Sequence, residues 1–147
     1  MLEILFYVVY NKDMEITSKG RYAVKVMADI ARAKKEYVSL AEISERNELS
    51  QKYLEKIISI LLKANLVVSA RGKDGGYKLA RPCEQITIKQ ILDATGDGAK
   101  IVDCLECGCA HSGSCDTVSV WGTLKKLIDD YLASVTLSML LSKTGKS

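Results

Sequence analysis

The 147-residue sequence has no run of about 18 consecutive apolar residues, the length that a membrane-spanning helix requires. Its apolar start, LEILFYVV, lacks the basic residues and the small-residue cleavage site of a secretory signal. These absences predict a cytoplasmic protein with no membrane partner. Thiols stay reduced in the cytoplasm. Residues 1–13 precede a second methionine, Met14, and we interpret them as an N-terminal tail or a misassigned start.

The sequence also lacks the residue patterns that mark common enzyme active sites. It contains a single histidine, and it has no acid–base pair, catalytic triad or cofactor-binding fingerprint. The pair Gly72-Lys73 does not belong to a nucleotide-binding loop, because the preceding glycine and the following Ser/Thr of the GxxxxGK(S/T) motif are missing. We therefore expect a protein that is not an enzyme and has no small-molecule substrate.

The net charge is small, at +3, but it is distributed unevenly along the chain. Residues 14–82 contain 14 Lys/Arg against 8 Asp/Glu, whereas the remainder contains 7 against 10. A basic unit joined to an acidic one suggests that the basic unit contacts a polyanion. An ordinary solvated basic surface is the alternative.

Two helices are predicted at the start of the basic unit. Thr17 or Ser18 can cap a helix, and Ser39 with Glu42 forms a capping box that starts a second helix at Leu40. The apolar residues of the first helix recur at helical spacing and are predicted to face the core: Tyr22, Ala23, Val26, Met27, Ile30 and Ala31.

A third helix follows after a very short connection, which is typical of a helix-turn-helix motif. Ser50 can cap it, and Asn65 can adopt the left-handed conformation that ends it. Its inward face is predicted to contain Leu54, Ile57, Ile58 and Leu61. Its opposite face carries long or polar side chains that can reach a ligand: Gln51, Lys52, Glu55, Lys56, Ser59 and Lys63.

The segment VVSARGKDGGYKLAR predicts a β-hairpin with its turn at residues 74–76. Such a hairpin, placed directly after a helix-turn-helix motif, is typical of a wing. The hairpin is basic, since it carries Arg71, Lys73, Lys78 and Arg81.

Two more helices are predicted, one before and one after a cysteine-rich loop. Thr87 and Gln90 form a capping box for a short helix that Gly96 ends. A long amphipathic helix, with a break near 134–136, follows the loop and needs a partner for its apolar stripe, which is either its own domain or, as we favour, a second subunit. The stripe comprises Val118, Trp121, Leu124, Ile128, Tyr131, Leu132 and Val135.

The loop itself, DCLECGCAHSGSC at 103–115, contains four of the five cysteines and the only histidine, His111. Thiolates are soft ligands that suit zinc, copper(I) or an iron–sulfur cluster. Structural zinc usually takes its ligands from two separated CxxC pairs, and only one such pair occurs here. An iron–sulfur cluster is therefore favoured, with zinc, unliganded thiols or a regulatory disulfide as alternatives. Cys83, outside the loop, is interpreted as a passive thiol.

The motifs ITSKGRYAVKVM, LAEISER, SQKYLEKIISIL and RGKDGGYKLAR together resemble those of the Rrf-type family of bacterial winged-helix transcription regulators, from Met14 to about Leu141. The resemblance implies a mostly α fold with a small β-hairpin. It also implies a winged helix-turn-helix domain at 14–97, a cluster-binding loop at 98–116, a dimerisation helix at 117–141 and a tail at 142–147.

Within this family the cysteine loop is most similar to that of the regulators of iron–sulfur cluster biogenesis. The similarity implies a homodimer that carries a 2Fe-2S cluster and binds promoter DNA according to cluster status. Related members sense nitric oxide or repress cysteine metabolism, and both remain alternatives. So do a zinc-stabilised or metal-free DNA-binding protein and an iron–sulfur electron carrier.

The cluster ligands that the resemblance implies are Cys104, Cys109 and Cys115. The family pattern has three cysteines, each separated from the next by five residues, and then a histidine three positions after the third cysteine. Cys109 and Cys115 match this spacing, but Cys104 is one residue too close to Cys109, and valine stands in place of the histidine. The fourth ligand is therefore Cys107 or His111, or a residue of the other subunit.

The resemblance also implies that the third helix enters the major groove of double-stranded promoter DNA while the wing lies in the adjacent groove. Glu55 is predicted to select the sequence, because a carboxylate can accept from cytosine and is repelled by phosphate. Arg71 suits the minor groove. The other predicted DNA-binding residues are Ser50, Gln51, Lys52 and Lys56 on the third helix, and Lys19, Arg21, Lys73 and Lys78 at backbone phosphates.

Overall fold

The computed structural model describes residues 16–98 and 115–144, which form six α-helices and one small antiparallel sheet. This confirms the predicted mostly α fold with a β-hairpin. Residues 1–13 and most of the cysteine-rich loop lie outside the described residues. In chain order the elements are α1 (Ser18–Arg32), α2 (Leu40–Asn47), α3 (Gln51–Lys63), β1 (Val67–Ala70), β2 (Gly76–Leu79), a 3₁₀ turn (Cys83–Gln85), α4 (Ile88–Thr95), α5 (Val118–Ser134) and α6 (Leu137–Thr144).

The first three helices begin at side-chain caps that the sequence predicts. Thr17 caps α1, and the Ser50 hydroxyl, which caps α3, accepts from the backbone N–H of Tyr53 at 3.2 Å. At the start of α2 the Glu42 backbone N–H donates to the Ser39 hydroxyl at 3.2 Å, and the Ser39 N–H donates to the Glu42 carboxylate at 3.0 Å. These bonds satisfy donors that a helix leaves unpaired in its first turn, so local sequence fixes where each helix begins.

The core lies between α1 and α3 and is closed by α2, α4 and the start of α6. Both central helices bury the faces that their apolar spacing predicts. Burial of this many branched and long apolar side chains is the main stabilising contribution to a domain of this size. The fully buried side chains include Val26, Met27, Ile43, Leu54, Ile57, Ile58, Leu61, Leu66, Ile86, Ile91 and Leu137.

The hairpin pairs β1 with β2 in antiparallel register, with Val67 opposite Leu79 and Ala70 opposite Gly76. Val38, just before α2, adds a short third edge, because its N–H and carbonyl both bond to Tyr77 at 2.9 and 2.8 Å. Gly76 allows this close approach: its φ is +144°, and a Cβ there would lie 2.3 Å from the Val38 carbonyl oxygen. The wing is thus attached to the segment that leads into α2.

The C-terminal helices are separated by a break at Val135–Thr136, in the predicted place. The break is held against the start of α4, because the Ile88 N–H donates to the Val135 carbonyl at 2.9 Å and the Leu137 N–H donates to the Ile86 carbonyl at 2.8 Å. Leu137 is fully buried, so α6 is part of the core. The last helix continues to Thr144, past the predicted start of the tail at residue 142.

Candidate nucleic-acid interface

The helix-turn-helix unit consists of α2 and α3, joined by the three-residue connection 48–50. Glu48 ends α2 in the left-handed conformation with φ of 54°, and the Leu49 N–H donates back to the Ser44 carbonyl at 3.1 Å. Arg46 then ties α2 to α1, since its guanidinium donates to both oxygens of Asp29, at 2.9 and 3.0 Å. These contacts hold α2 in place and thereby fix the orientation of α3.

The outward face of α3 is polar and accessible. Within the described residues Lys52, Glu55 and Lys56 form no ion pair with each other or with a neighbour, so all three charges are available to a ligand. Ser50, another predicted DNA-binding residue, precedes the first turn of α3. Its hydroxyl oxygen caps the helix by accepting from the Tyr53 N–H. The exposed members of the face are Gln51, Lys52, Glu55, Lys56, Ser59 and Lys63.

The wing divides its predicted DNA-binding residues into two groups. Arg71 and Lys73 lie in the exposed loop between the strands and have no ion-pair partner among the described residues. Lys78, on β2, instead donates to the Glu36 carboxylate at 2.8 Å and lies 4.8 Å from the ring centroid of Tyr37. The pKa of Lys78 is raised, first by Glu36 and then by Tyr37. Its charge is thus partly neutralised, and it contributes less free positive charge than the sequence suggests.

The first turn of α1 carries the remaining predicted phosphate contacts, Lys19 and Arg21. Lys19 is half-buried and forms no ion pair within the described part of the chain, while the Arg21 guanidinium donates to the Ser18 hydroxyl at 3.2 Å. Further along α1, the Tyr22 ring meets the ring of Tyr53 on α3 edge-to-face, with centroids 6.1 Å apart. This pair adds an aromatic contact between α1 and α3.

Cys115 is the only predicted cluster ligand among the described residues; Cys104, Cys107, Cys109 and His111 lie outside them. Its thiol is exposed at the start of α5, with Sγ 3.2 Å from the Thr117 hydroxyl oxygen. Its pKa is lowered, first by the Thr117 side chain and then by the backbone N–H groups of Thr117 and Val118. An exposed thiol with a lowered pKa loses its proton more readily, and the thiolate is the form that binds metals. Cys83 is half-buried and packs against the core, consistent with a structural thiol.

The long helix α5 exposes more apolar surface than the sequence prediction assigned to it. No side chain of α5 is buried, and the predicted members Val118, Trp121, Ile128, Leu132 and Val135 are only half-buried. A separate stripe faces outward and comprises Val120, Leu124, Leu127 and Tyr131, two of which are more than 60% exposed.

We call this set the α5 stripe. The sequence prediction included Leu124 and Tyr131 but missed Val120 and Leu127. Their spacing of four, three and four residues is the heptad pattern of helices that pair, and it would have identified them.

Comparison with known proteins agrees with this architecture. The family model Rrf2, described as an iron-dependent transcriptional regulator, matches residues 16–143. The regulator IscR of Vibrio vulnificus strain YJ016 is 41% identical over 131 residues, which cover 88% of this chain and 78% of that protein. With the fold and the exposed basic helix, these matches define a winged helix-turn-helix DNA-binding protein. The chain belongs to the Rrf2 family of transcription regulators, as its motifs predicted.

Two solved structures are similar over most of their length. The structure of T. potens IscR has a TM-score of 0.73 and 36% identity, and the alignment covers 90% of this chain and 89% of that one. The structure of CymR, the global cysteine regulator of B. subtilis, has a TM-score of 0.74 and 32% identity, covering 88% of this chain and 98% of that one.

Among the described residues, no helix is long and apolar enough to cross a membrane.

Proposed function

We propose that this protein is a homodimeric transcription regulator whose binding to promoter DNA depends on a 2Fe-2S cluster, and that it controls genes for iron–sulfur cluster biogenesis in the cytoplasm. The observation that carries the proposal is the face of α3. It combines three unpaired charges at the start of an exposed helix with a basic wing beside it. Similarity to IscR proteins supports the choice of cluster and regulated genes.

DNA recognition in this proposal divides between α3 and the wing. Lys52 and Lys56 would contact guanine or phosphate, and Glu55 would accept a hydrogen bond from a cytosine amino group in the major groove. Arg71 and Lys73 extend from the wing loop toward the neighbouring groove and backbone. Lys19 and Arg21 would bind phosphates from the start of α1 and so add affinity without sequence preference.

Dimerisation would place the α5 stripe against the same stripe of a second chain. The stripe runs along one side of a helix of 17 residues, which is about 25 Å long at 1.5 Å per residue. Contiguous exposed apolar surface of this kind is typical of an interaction site. A twofold arrangement would present two α3 helices to a palindromic operator.

The cluster would be held by Cys104, Cys109 and Cys115, with Cys107 or His111 as the fourth ligand. The exposed thiol of Cys115, just before α5, supports the inclusion of this residue in the set. When bound, the cluster supplies a fixed connection among residues of one segment, and an all-sulfur ligand set would give it a lower reduction potential than one containing histidine. Ligation would therefore restrain the chain between α4 and α5, and α5 is the helix that carries the dimer stripe.

Anaerobic reconstitution with iron and sulfide tests the proposal. The wild-type chain should become coloured, contain iron, and bind a duplex selected from a random library with an affinity that changes when the cluster is lost. The variant with Cys104, Cys109 and Cys115 all changed to Ala, called here the three-cysteine variant, should stay colourless and behave as the cluster-free form. Cys83→Ala is the matched control, since this thiol lies outside the segment, and it should keep both colour and iron.

Two results would contradict the proposal. A wild-type chain that remains colourless and iron-free after reconstitution would exclude the cluster, and bound zinc in that sample would indicate a structural metal instead. Identical DNA binding by the reconstituted wild type and the three-cysteine variant would exclude sensing by the cluster.

A regulator of cysteine metabolism is the second candidate, and the similarity to CymR favours it. In that case the wild-type chain should bind DNA without visible absorption, and the three-cysteine variant should recognise the same duplex equally well. The spectrum and the DNA-binding measurement together distinguish the two candidates.

A further inference from the structure

A single carboxylate, that of Asp97, joins two parts of the chain that are far apart in sequence. The Thr17 hydroxyl donates a shared hydrogen bond to both Asp97 oxygens, at 2.7 and 2.9 Å, across 80 residues. The buried Thr95 hydroxyl lies 3.2 Å from the same carboxylate and also donates to the Leu92 carbonyl at 2.9 Å. Asp97 is therefore held between the end of α4 and the start of α1.

The start of α1 is shaped to receive this carboxylate. Thr17 is the cap of α1, and its oxygen also accepts from the Gly20 N–H at 3.2 Å. Gly20 is buried, and a Cβ at that position would lie 1.8 Å from Asp97 Oδ2 and 3.2 Å from the Leu92 side chain. A negative charge at a helix N-terminus is favourable, because the unpaired N–H groups carry partial positive charge. A Cβ at this position would therefore displace the Asp97 carboxylate.

The two sides of this contact have different functions in the proposed regulator. On one side, the first turn of α1 carries Lys19 and Arg21, the predicted phosphate contacts. On the other side, Asp97 follows the last residues of α4 and is separated by only one glycine from segment 99–114, which holds three of the four loop cysteines. The Thr17–Asp97 hydrogen bond thus connects the end of α4 directly to the start of α1.

The second exit from the cysteine segment does not lead to the same place. Cys115 is followed by α5, which contacts the winged-helix unit through α4 and through the backbone bonds at Val135 and Leu137. On this path Lys89 Nζ lies 3.9 Å from Asp129, a long separation between two partly buried side chains. The path through Asp97 reaches the predicted DNA-contacting turn directly.

We propose that Asp97 is a positioning residue that transmits the state of the cysteine segment to the first turn of α1, and with it to Lys19 and Arg21. This inference rests on the proposed function. Displacement of the chain after Gly98 would move the carboxylate, release the Thr17 hydroxyl and loosen the turn that presents both cations to the DNA backbone. Coupling arises only if the contact is kept in one state of the segment and lost in the other.

The experiment measures the affinity for the selected duplex with the cluster and without it, the latter in the three-cysteine background. The coupling ratio is the larger of these two affinities divided by the smaller. Asp97→Ala removes the carboxylate. Gly20→Ala displaces the carboxylate but removes no hydrogen-bonding group from the chain. Asp93→Ala is the matched control, because this carboxylate lies on the same helix and pairs only with Lys89, at 2.7 Å, and not with α1. Thr17→Ser keeps the hydroxyl and serves as the conservative variant.

In the wild type the ratio should lie between about 5 and 150, the usual range of coupling between two sites. Asp97→Ala and Gly20→Ala should bring it to within about twofold of one. They should also reduce the slope of log affinity against log salt by up to about 0.9 for each cation released. Asp93→Ala and Thr17→Ser should retain the wild-type ratio, and all four variants should retain the visible absorption, because none replaces a predicted ligand.

A wild-type ratio that persists in Asp97→Ala and Gly20→Ala would overturn the inference while leaving the proposed function intact. Loss of the visible absorption in Asp97→Ala alone would also overturn it, since the residue would then act by holding the cluster. A wild-type ratio of one would overturn the proposed sensing function and the inference together. Because Gly20→Ala retains all polar groups, it tests the contact even if Asp97→Ala does not fold.

Discussion

Leu127 provides a quantitative test of the dimer, because it is the most exposed aliphatic side chain of the α5 stripe. Its exposed fraction is 62%, so it contributes little to the packing of its own chain. Changing Leu127 to Ala removes three carbons, worth about 2.4 kcal/mol when they are fully buried. Scaling by the exposed fraction leaves roughly 1.5 kcal/mol that only a partner can supply.

In a twofold interface each substitution counts once in each chain, so the free energy of association should fall by about 3 kcal/mol. This corresponds to an increase of roughly 100-fold in the dimer dissociation constant. Sedimentation equilibrium over a dilution series measures that constant directly. The midpoint of thermal unfolding, measured at a concentration where the wild type and the variant are both monomeric, should differ little between the two proteins.

Val68→Ala is the matched control, since this exposed valine lies on β1, away from α5. It should leave the dissociation constant unchanged. If Leu127→Ala associates as tightly as the wild type while remaining folded, the α5 stripe is not the dimer contact and the reasoning from its exposure is refuted.

Three further predictions follow from the described contacts. Glu55→Ala should reduce discrimination among operator variants by about 1–3 kcal/mol per site while leaving the salt dependence of binding unchanged, and equal discrimination by both proteins in competition binding would refute its assigned role. Gly76→Ala should lower the free energy of unfolding by about 1–3 kcal/mol in chemical denaturation, because the φ of Gly76 is +144° and an added Cβ would lie 2.3 Å from the Val38 carbonyl oxygen. A denaturation midpoint equal to that of the wild type would contradict this. The pKa of Glu42 is lowered from 4.5 to about 2, chiefly by the hydrogen bond from Lys35, so its stabilising contribution is present above pH 4.5 and is lost as the pH falls through about 2. Glu42→Gln should therefore flatten the stability profile across that window, and an unaltered profile would count against the assignment.

Local chemistry accounts for the parts of the fold that were predicted correctly. Thr17, Ser39 and Ser50 each cap a helix by bonding to a backbone N–H within the next three residues, so their effect requires no distant partner. The same holds for the end of α4, where Gly96 adopts a φ of 80°. Helix boundaries of this kind are determined by a few adjacent residues and can be predicted from them.

The candidate site could be predicted only in part. The exposed face of α3 follows from helical periodicity, because the residues opposite its buried positions must face solvent. The condition of each charge does not follow. Lys73 and Lys78 have the same expected role at backbone phosphates, but a glutamate 42 residues before Lys78 pairs with it, and Lys73 has no such partner among the described residues.

The sequence alone determined the winged helix-turn-helix order, the basic character of its first part and the concentration of cysteines before the last long helix. These properties depend on composition and on spacings of a few residues. Only the tertiary structure decided which apolar side of α5 remains exposed, that Lys78 is paired, and that Asp97 meets the start of α1. Each of these depends on contacts between residues tens of positions apart, and the free energy of such contacts is set by packing and desolvation that no local pattern specifies.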